Sequence, residues 1–358
     1  MIDDRADTSA APAAPASLPK REPNLWAVLG GLAVALLAAI VVGLALGAVR
    51  VPIGAVVAAI GRLLSGSPAG SADAVIVDVR LPRVLLAALV GACLGGGGAL
   101  YQALFRNPLA DPYILGVSSG AGLAATATLV AGSVLGLAWA SSVFAVPAAA
   151  FVGALATIGL VAALAARSGR MDTTSLLLAG IAVSYTLAAA TSFLLVYFRQ
   201  SMSAVVYWMM GGLTSAGWPY VGIVLTMLAV GLIAPLTSTR ALDIILLGDE
   251  RAAHLGVDVP RLKWTMLASA SLLVAAAVAV SGLIGFVGLM TAHMVRLAFG
   301  PRHRILLPAS VLGGAIMLVL ADVIARTIVA PVELPVGIVT AAFGGPFFLW
   351  LLVRGEAR

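Results

Sequence analysis

The chain has 358 residues, of which 61% are hydrophobic and 10% charged, with a mean hydropathy of +1.10 and a formal net charge of +6. Such proportions exclude a soluble globular domain and fit an all-α integral membrane protein, since long uncharged runs recur and the strict alternation of a membrane barrel does not. The one cysteine, Cys93, lies inside an apolar run, so neither a disulfide framework nor a thiolate metal site is available.

Residues 1–23, made of Ala, Pro, Ser and charge with no apolar segment ahead of a cleavage site, read as a disordered tail before a membrane domain at 24–358. Uncharged runs then predict about ten helices, at 25–48, 83–105, 113–133, 143–166, 174–198, 219–238, 264–283, 286–299, 305–325 and 335–353. The run 286–299 is too short to cross alone. Between Gln200 and Thr239 the apolar stretch exceeds one crossing, so Met202–Gly212 is expected to be a short re-entrant or interfacial helix, tolerated where protein or water satisfies its backbone. With both termini cytoplasmic, Arg50, Arg62, Arg80, Arg83, Arg199 and Arg326 fall outside. The other 15 of the 21 basic residues fall inside, among them Arg5, Lys20, Arg21, Arg170 and Arg358, the asymmetry of the positive-inside rule. Topology thus explains the net charge without nucleic acid.

Several features interrupt the apolar runs. The hairpin Phe105-Arg-Asn-Pro-Leu-Ala-Asp-Pro112 separates two uncharged stretches and belongs at a membrane face, with Asn-Pro and Asp-Pro initiating turns. In the second span, Gly91 and Gly95 to Gly98 permit close approach of another helix, as a packing face or as a sliding surface. Tyr101, Gln102, Ser118, Ser119, Tyr185, Thr191, Tyr207, Met209 and Met210 are polar or soft groups suited to a pathway, although most such residues pack. The segment 240–263 is the longest charged stretch between spans. There Asp249 and Glu250 suit the start of a short helix, His254 its last turn and Gly256 its stop, while Pro260 blocks continuation. This reads as a docking knob for a soluble partner, or as a solvated loop.

Enzymatic constellations are missing. The lysines, Lys20 and Lys263, follow Pro19 and Leu262 rather than a glycine-rich turn, so no phosphate-binding loop exists, and His254, His293 and His303 are scattered. The clear ionisable group inside a span is Asp322, with Arg326 at the spacing of a helical pair. An ion-coupled transporter, the competing class, calls for several carboxylates near the midplane.

Six motifs taken together resemble the FecCD permeases, the membrane subunits of type II ABC importers for cobalamin, haem and iron siderophores. They are Arg80-Leu-Pro-Arg83, Gln102-Ala-Leu-Phe-Arg-Asn-Pro-Leu-Ala-Asp-Pro112, Leu115-Gly-Val-Ser-Ser-Gly120, Leu177-Leu-Ala-Gly-Ile181, Gly282-Leu-Ile-Gly-Phe-Val-Gly288 and Glu333-Leu-Pro-Val-Gly-Ile-Val339. The resemblance runs from about residue 25 onward. It implies ten helices per subunit, a homodimer with the path on its two-fold axis, two cytoplasmic ATPase subunits that use ATP and magnesium, and a periplasmic binding protein. The chain itself would bind no cofactor and would reside in a bacterial inner membrane. Carried over by motif, Asn107, Leu109, Thr173 and Thr174 correspond to the cytoplasmic gate, and Arg80, Arg83 and Arg326 to the binding-protein dock. Two coupling helices would match Leu247 to Val259, through Leu247, Gly248, Asp249, Glu250, Arg251, His254, Leu255, Gly256 and Val257. Tyr101, Gln102, Tyr207, Met209 and Met210 would line the path. For cargo, the family's makeup puts haem or a ferric siderophore ahead of cobalamin.

Overall fold

A computed structural model describes residues 23–47, 49–66, 71–167, 173–214 and 216–354. The predicted tail up to residue 22, and with it Arg5, Lys20 and Arg21, lies outside the described residues, as do Arg170 and Arg358. Every regular element among the described residues is helical. In chain order they are α1 (Leu25–Ala45), α2 (Ile53–Ser65), α3 (Ser71–Ala74) running through a π-helical turn (Val75–Arg80) into α4 (Leu81–Phe105), α5 (Val117–Ser133), α6 (Ala145–Ala166), α7 (Thr173–Tyr197) and α8 (Met202–Met209). There follow α9 (Trp218–Thr237), α10 (Thr239–Ile245), α11 (Asp249–His254), α12 (Val259–Ser281), α13 (Val287–Phe299), α14 (His303–Thr327) and α15 (Val336–Arg354).

Seven of these helices are long and apolar enough to cross a membrane: α1, α4 with its π-helical lead, α6, α7, α9, α12 and α14. Each lies on a predicted run, because hydrocarbon thickness sets the length of the uncharged stretch. Local chemistry fixes the ends. Asn24 caps α1 by accepting from the Trp26 N–H at 3.0 Å, and Asp258 caps α12 by accepting from the Arg261 N–H at 3.1 Å. Pro260 therefore opens α12 instead of blocking a helix, since proline in a first turn removes a donor that has no partner anyway. The predicted start at 264 was for that reason five residues late. Two further elements went unpredicted, α2 and α3. They are pinned to each other by Arg62, whose Nε and Nη2 donate to Asp73 at 2.8 and 2.6 Å.

α4 is the centre of the bundle, buried along most of its length against α12, α13 and α14. Its glycines make this possible. A Cβ at Gly91 would enter the Gly314 carbonyl, one at Gly95 the Ser310 carbonyl, and one at Gly98 the Gly288 backbone. The close-packing reading of this face is what the helices display.

α13 has only 13 residues, and the non-helical run Gly282 to Phe286 leads into it from the end of α12. Gly282 (φ 67°) and Phe286 (φ 69°) both adopt left-handed backbone there. α8 ends against this break: the Gly212 N–H donates to the Ser281 carbonyl at 2.8 Å, and a Cβ at Gly211 would enter the Leu283 carbonyl. α8 starts beside the end of α5, where the Ser133 and Ser201 hydroxyls are 2.6 Å apart, and α9 starts beside the α6 entry, where the Tyr220 hydroxyl donates to the Val143 carbonyl. α8 is thus a short helix set between the end of α5 and the break ahead of α13, where a short re-entrant or interfacial helix is expected for 202–212.

Candidate gate and coupling site

One face of the bundle gathers the end of α4, the α10–α11 segment, the start of α12 and the start of α14; it is called here the basic face. α4 stops because Arg106 takes a left-handed conformation (φ 49°). Asn107 Oδ1 then accepts from the Leu109 N–H at 2.9 Å, and Asp111 Oδ1 accepts from the Tyr113 N–H at 2.8 Å, so two Asx turns stiffen the hairpin. A 3₁₀ turn (Pro112–Leu115) follows, which is why α5 begins at Val117 and not at 113. From that turn the Tyr113 hydroxyl donates to the Ile284 carbonyl at 2.9 Å and accepts from the Ile284 N–H at 3.2 Å. The hairpin is thereby tied to the broken strand of backbone ahead of α13. Tyr113→Phe should cost roughly 1–2 kcal/mol of stability through the two groups left unpaired, read as a lower unfolding midpoint in detergent.

α11 projects from the same face. Asp249 and Glu250 occupy its first turn, favourable against the helix dipole, and Gly248 (φ 108°) supplies a backbone angle that side-chain-bearing residues avoid. Ala252 is its one buried residue, and Leu247 (55% exposed) and Leu255 (60% exposed) flank it with Glu250, Arg251 and His254 also outward. The expected pair of short helices exists, but only α11 falls within Leu247 to Val259. The other, α10, precedes Leu247, because Gly248 breaks the helix between them. Asp249 joins this knob to two other elements. Its Oδ2 receives Lys263 Nζ from the first turns of α12 at 2.5 Å, and its Oδ1 lies 3.5 Å from Arg106 Nη2 at the end of α4. The sequence reading missed Arg106 and Lys263 as members of the site.

Thr173 and Thr174 are the first residues of α7. The hairpin meets α7 further in, where Gly180 packs on Ile114 and Leu115. α7 is bare for most of its length. Leu176, Gly180 and Thr191 are its buried residues, and Thr174, Leu178, Ile181, Tyr185, Ser192 and Phe193 are exposed.

The path assignments divide. Tyr101 and Gln102 are buried: the Tyr101 hydroxyl is 2.9 Å from the Ser271 hydroxyl, and Gln102 donates to the Leu289 carbonyl and accepts from Arg296 Nη2. Both bond α4 to its neighbours and line no open path in this structure. Thr191 likewise turns back on its own helix, to the Leu187 carbonyl. Ser118 and Ser119 are half-buried on α5, and Tyr185 is 75% exposed. Tyr207 and Trp208 line a cavity of about 920 Å³ on the opposite face, between α5, α6, α8, α9 and the end of α12. Met210 is exposed and Met209 half-buried, and neither lines that cavity.

On that opposite face the three arginines assigned to docking are occupied internally. Arg80 Nη1 donates to the Leu44 carbonyl at 2.8 Å and its Nη2 to Val49, and Arg326 Nη2 donates to the Gly43 carbonyl at 3.1 Å. Two guanidiniums thus satisfy the orphan carbonyls that end α1, on the side of the helix dipole that favours cations. Arg80 and Arg326 are 8% and 4% exposed, so little of either guanidinium reaches the surface of the single chain. Arg83 pairs with Asp322 at 3.0 Å and Glu333 at 2.8 Å, and Arg326 Nε also reaches Asp322 at 2.9 Å, as the i, i+4 spacing suggested. Arg83→Glu would set a third acid beside two others and should lower stability by on the order of 3 kcal/mol. Chemical unfolding in detergent measures this; an unchanged midpoint would remove the cluster from the frame of the bundle.

The sequence matches the description of the FecCD transport family over residues 34–354. It is 46% identical over 288 residues to the cobalamin import system permease protein BtuC of Halobacterium salinarum, covering 80% of this chain and 76% of that one. It is 42% identical over 280 residues to the hemin transport system permease protein HmuU of Yersinia pestis, covering 78% and 83%. Among solved structures, a chain described as that of a metal-chelate type ABC transporter in an inward-facing conformation superposes with a TM-score of 0.79 at 30% identity, covering 92% of this chain and 99% of that one.

Proposed function

The chain belongs to the FecCD transport family, and from that premise we propose that it is the permease subunit of an ATP-driven importer that carries a metal chelate across a bacterial inner membrane. The observation that carries the proposal is the α11 knob. A six-residue helix held by one buried alanine and tipped with exposed Leu247 and Leu255 presents an apolar and charged surface that suits a socket in a soluble partner. Two ATPase subunits, using ATP and magnesium, are the partners in this reading, and the chain needs no cofactor of its own. The basic face is then cytoplasmic, in keeping with the arginine asymmetry. Ten crossings follow if α5, α13 with its extended lead and α15 cross beside the seven long helices, leaving both termini inside.

A second copy of the chain completes the path. α1 is equally bare, but its exposed surface is aliphatic with a single Trp26, as lipid contact requires. α7 instead exposes Thr174, Tyr185, Thr186 and Ser192 along its length, a surface suited to a two-fold partner and a wet path between them. Thr173 and Thr174 at its basic end, with Asn107 and Leu109, form the cytoplasmic gate in this arrangement. Transport proceeds by alternating access: a loaded binding protein docks on the outer face, ATP closes the ATPases, and the knob carries their motion to the hairpin. With Arg80 and Arg326 occupied, exposed Arg50 and Arg199 are the cations available to that binding protein. Arg199→Glu should weaken its attachment several-fold while leaving thermal stability unchanged, read by pull-down beside a melting curve.

The cargo is a large metal chelate, with cobalamin, haem and a ferric siderophore as the members to be compared. Reconstitution in liposomes tests the whole proposal. Uptake of labelled chelate should require the ATPase subunits, ATP and the binding protein together, and uptake driven by an ion gradient without them would overturn it. Asp322, the carboxylate an ion-coupled mechanism would use, is already committed to two arginines.

A further inference from the structure

A second cluster on the basic face lies away from the knob. The end of α9, the start of α10 and the turn into α14 enclose a cleft of about 440 Å³ lined by Leu236, Thr239, Arg240, Asp243, Arg302 and Arg304. The exposed guanidiniums of Arg240 and Arg304 come from two separate elements, and the one carboxylate in the lining, Asp243, is already engaged. Asp243 Oδ1 accepts from the His303 N–H at 2.8 Å and sits 2.8 Å from His303 Nδ1, with the imidazole fully buried. Burial raises the Asp243 carboxyl, but the two hydrogen bonds from His303 and the charges of His303 and Arg302 outweigh it and hold the group below its ordinary range. Arg240 and Arg304 are exposed and make no ion pair with another described residue.

The Asp243–His303 link matters to the geometry. It locks α10 to the start of α14, so arginines from two separate elements are held around one space instead of spreading apart. Like charges gathered in this way repel, and an anion shared among them removes the repulsion. Guanidiniums match the oxygens of a phosphate in paired hydrogen bonds. The apolar wall identifies the source of that phosphate. Leu236 is 44% exposed, and Ile233 (63%), Ala229 and Leu225 (53%), three, seven and eleven residues before it, are exposed on the same side of α9. An exposed aliphatic stripe on a membrane span thus runs straight into the arginines. A soluble phosphate has no use for that stripe, whereas a phospholipid lays its acyl chains along it.

We propose that this cleft binds the headgroup phosphate of an anionic phospholipid, with its chains against α9. The leaflet, cytoplasmic, rests on the orientation proposed above; the site does not, and its test needs neither transport nor ATPase. The full chain, purified in mild detergent, is titrated with dioleoyl phosphatidylglycerol or phosphatidylcholine and read by native mass spectrometry. The anionic lipid should be retained preferentially, and each arginine changed to glutamine should lower its retention roughly fivefold. A variant with Arg240→Gln, Arg302→Gln and Arg304→Gln combined should then lose the preference, while the three corresponding Arg→Lys changes should keep most of it. If the triple glutamine variant does not assemble, Arg304→Gln alone, at an exposed position, gives the same reading. No preference in the unaltered chain, or equal retention by the glutamine variants, overturns the proposal. So does displacement of the lipid by equimolar inorganic phosphate, which would make this a soluble-anion site.

Discussion

Asp249→Arg in the assembled importer is expected to leave ATP hydrolysis running and to cut ATP-driven uptake by on the order of tenfold or more, a change of about 1.4 kcal/mol or more in the coupled step. Asp249 is where three elements meet: the knob α11, the end of α4 through Arg106, and the first turns of α12 through Lys263. The two links differ in strength. Lys263 is 8% exposed at its side chain, so removing its partner strands a buried ammonium; with Asp249 itself 43% exposed, the loss is discounted to about 1–3 kcal/mol. The Arg106 link, at 3.5 Å between two groups each more than a third exposed, contributes less than about 1 kcal/mol. Its importance is positional. Arg106 starts the hairpin that holds Asn107 and Leu109, so in the proposed mechanism a push on α11 would reach the proposed gate through this carboxylate. Combining Arg106→Ala with Asp249→Ala in a double-mutant cycle separates the routes: uptake per ATP should fall no further in the double variant than in Asp249→Ala alone. An unchanged uptake-to-hydrolysis ratio in Asp249→Arg would remove this carboxylate from the route.

Gly95→Leu should abolish assembly of the bundle, and Gly95→Ala should cost roughly 1–3 kcal/mol or more. The reason is backbone against backbone. A Cβ at Gly95 meets the Ser310 carbonyl, and Gly91 and Gly314 exclude a Cβ on each other reciprocally, so α4 and α14 can separate only by moving whole helices. A flexible side chain could have stepped aside; a carbonyl in a helix cannot. Gly30→Ala supplies the control, since nothing lies within 4 Å of its added carbon, and helix propensity predicts a small gain of up to about 1 kcal/mol. Denaturant titration of the purified chain distinguishes them. A Gly95→Leu protein as stable as the parent would sink the argument.

The sequence made the spans legible because one physical quantity, hydrocarbon thickness, sets their length. It also made the short helix at 249–254 legible, since Asp249 and Glu250 act in its first turn and Gly256 just past its end. What it could not show was direction. Arg80, Arg83 and Arg326 announce a charged rim, but a long side chain can reach outward or fold back, and here two of them turn in to the end of α1. Tyr101 and Gln102 are polar groups in an apolar span, a pattern shared by pathway residues and by interhelical hydrogen bonds; which neighbour receives them is a tertiary fact. The pairing of Arg106 with Asp249 joins segments remote in sequence for the same reason. α2 and α3 escaped because Arg62 and Asp73, which neutralise each other in space, read as charged interruptions along the chain.

The unequal burial of α4 and α7 has a mechanical consequence. Of the windows long enough to span, α4 with its lead is 89% buried and α7 17%. The first is a stator, braced on several sides by backbone contact. The second is a boom resting lightly on α5 and α6, and the load needed to swing that boom is set by three buried footholds, Leu176, Gly180 and Thr191. A modest thrust at the basic face can therefore reposition the boom while the stator keeps its shape.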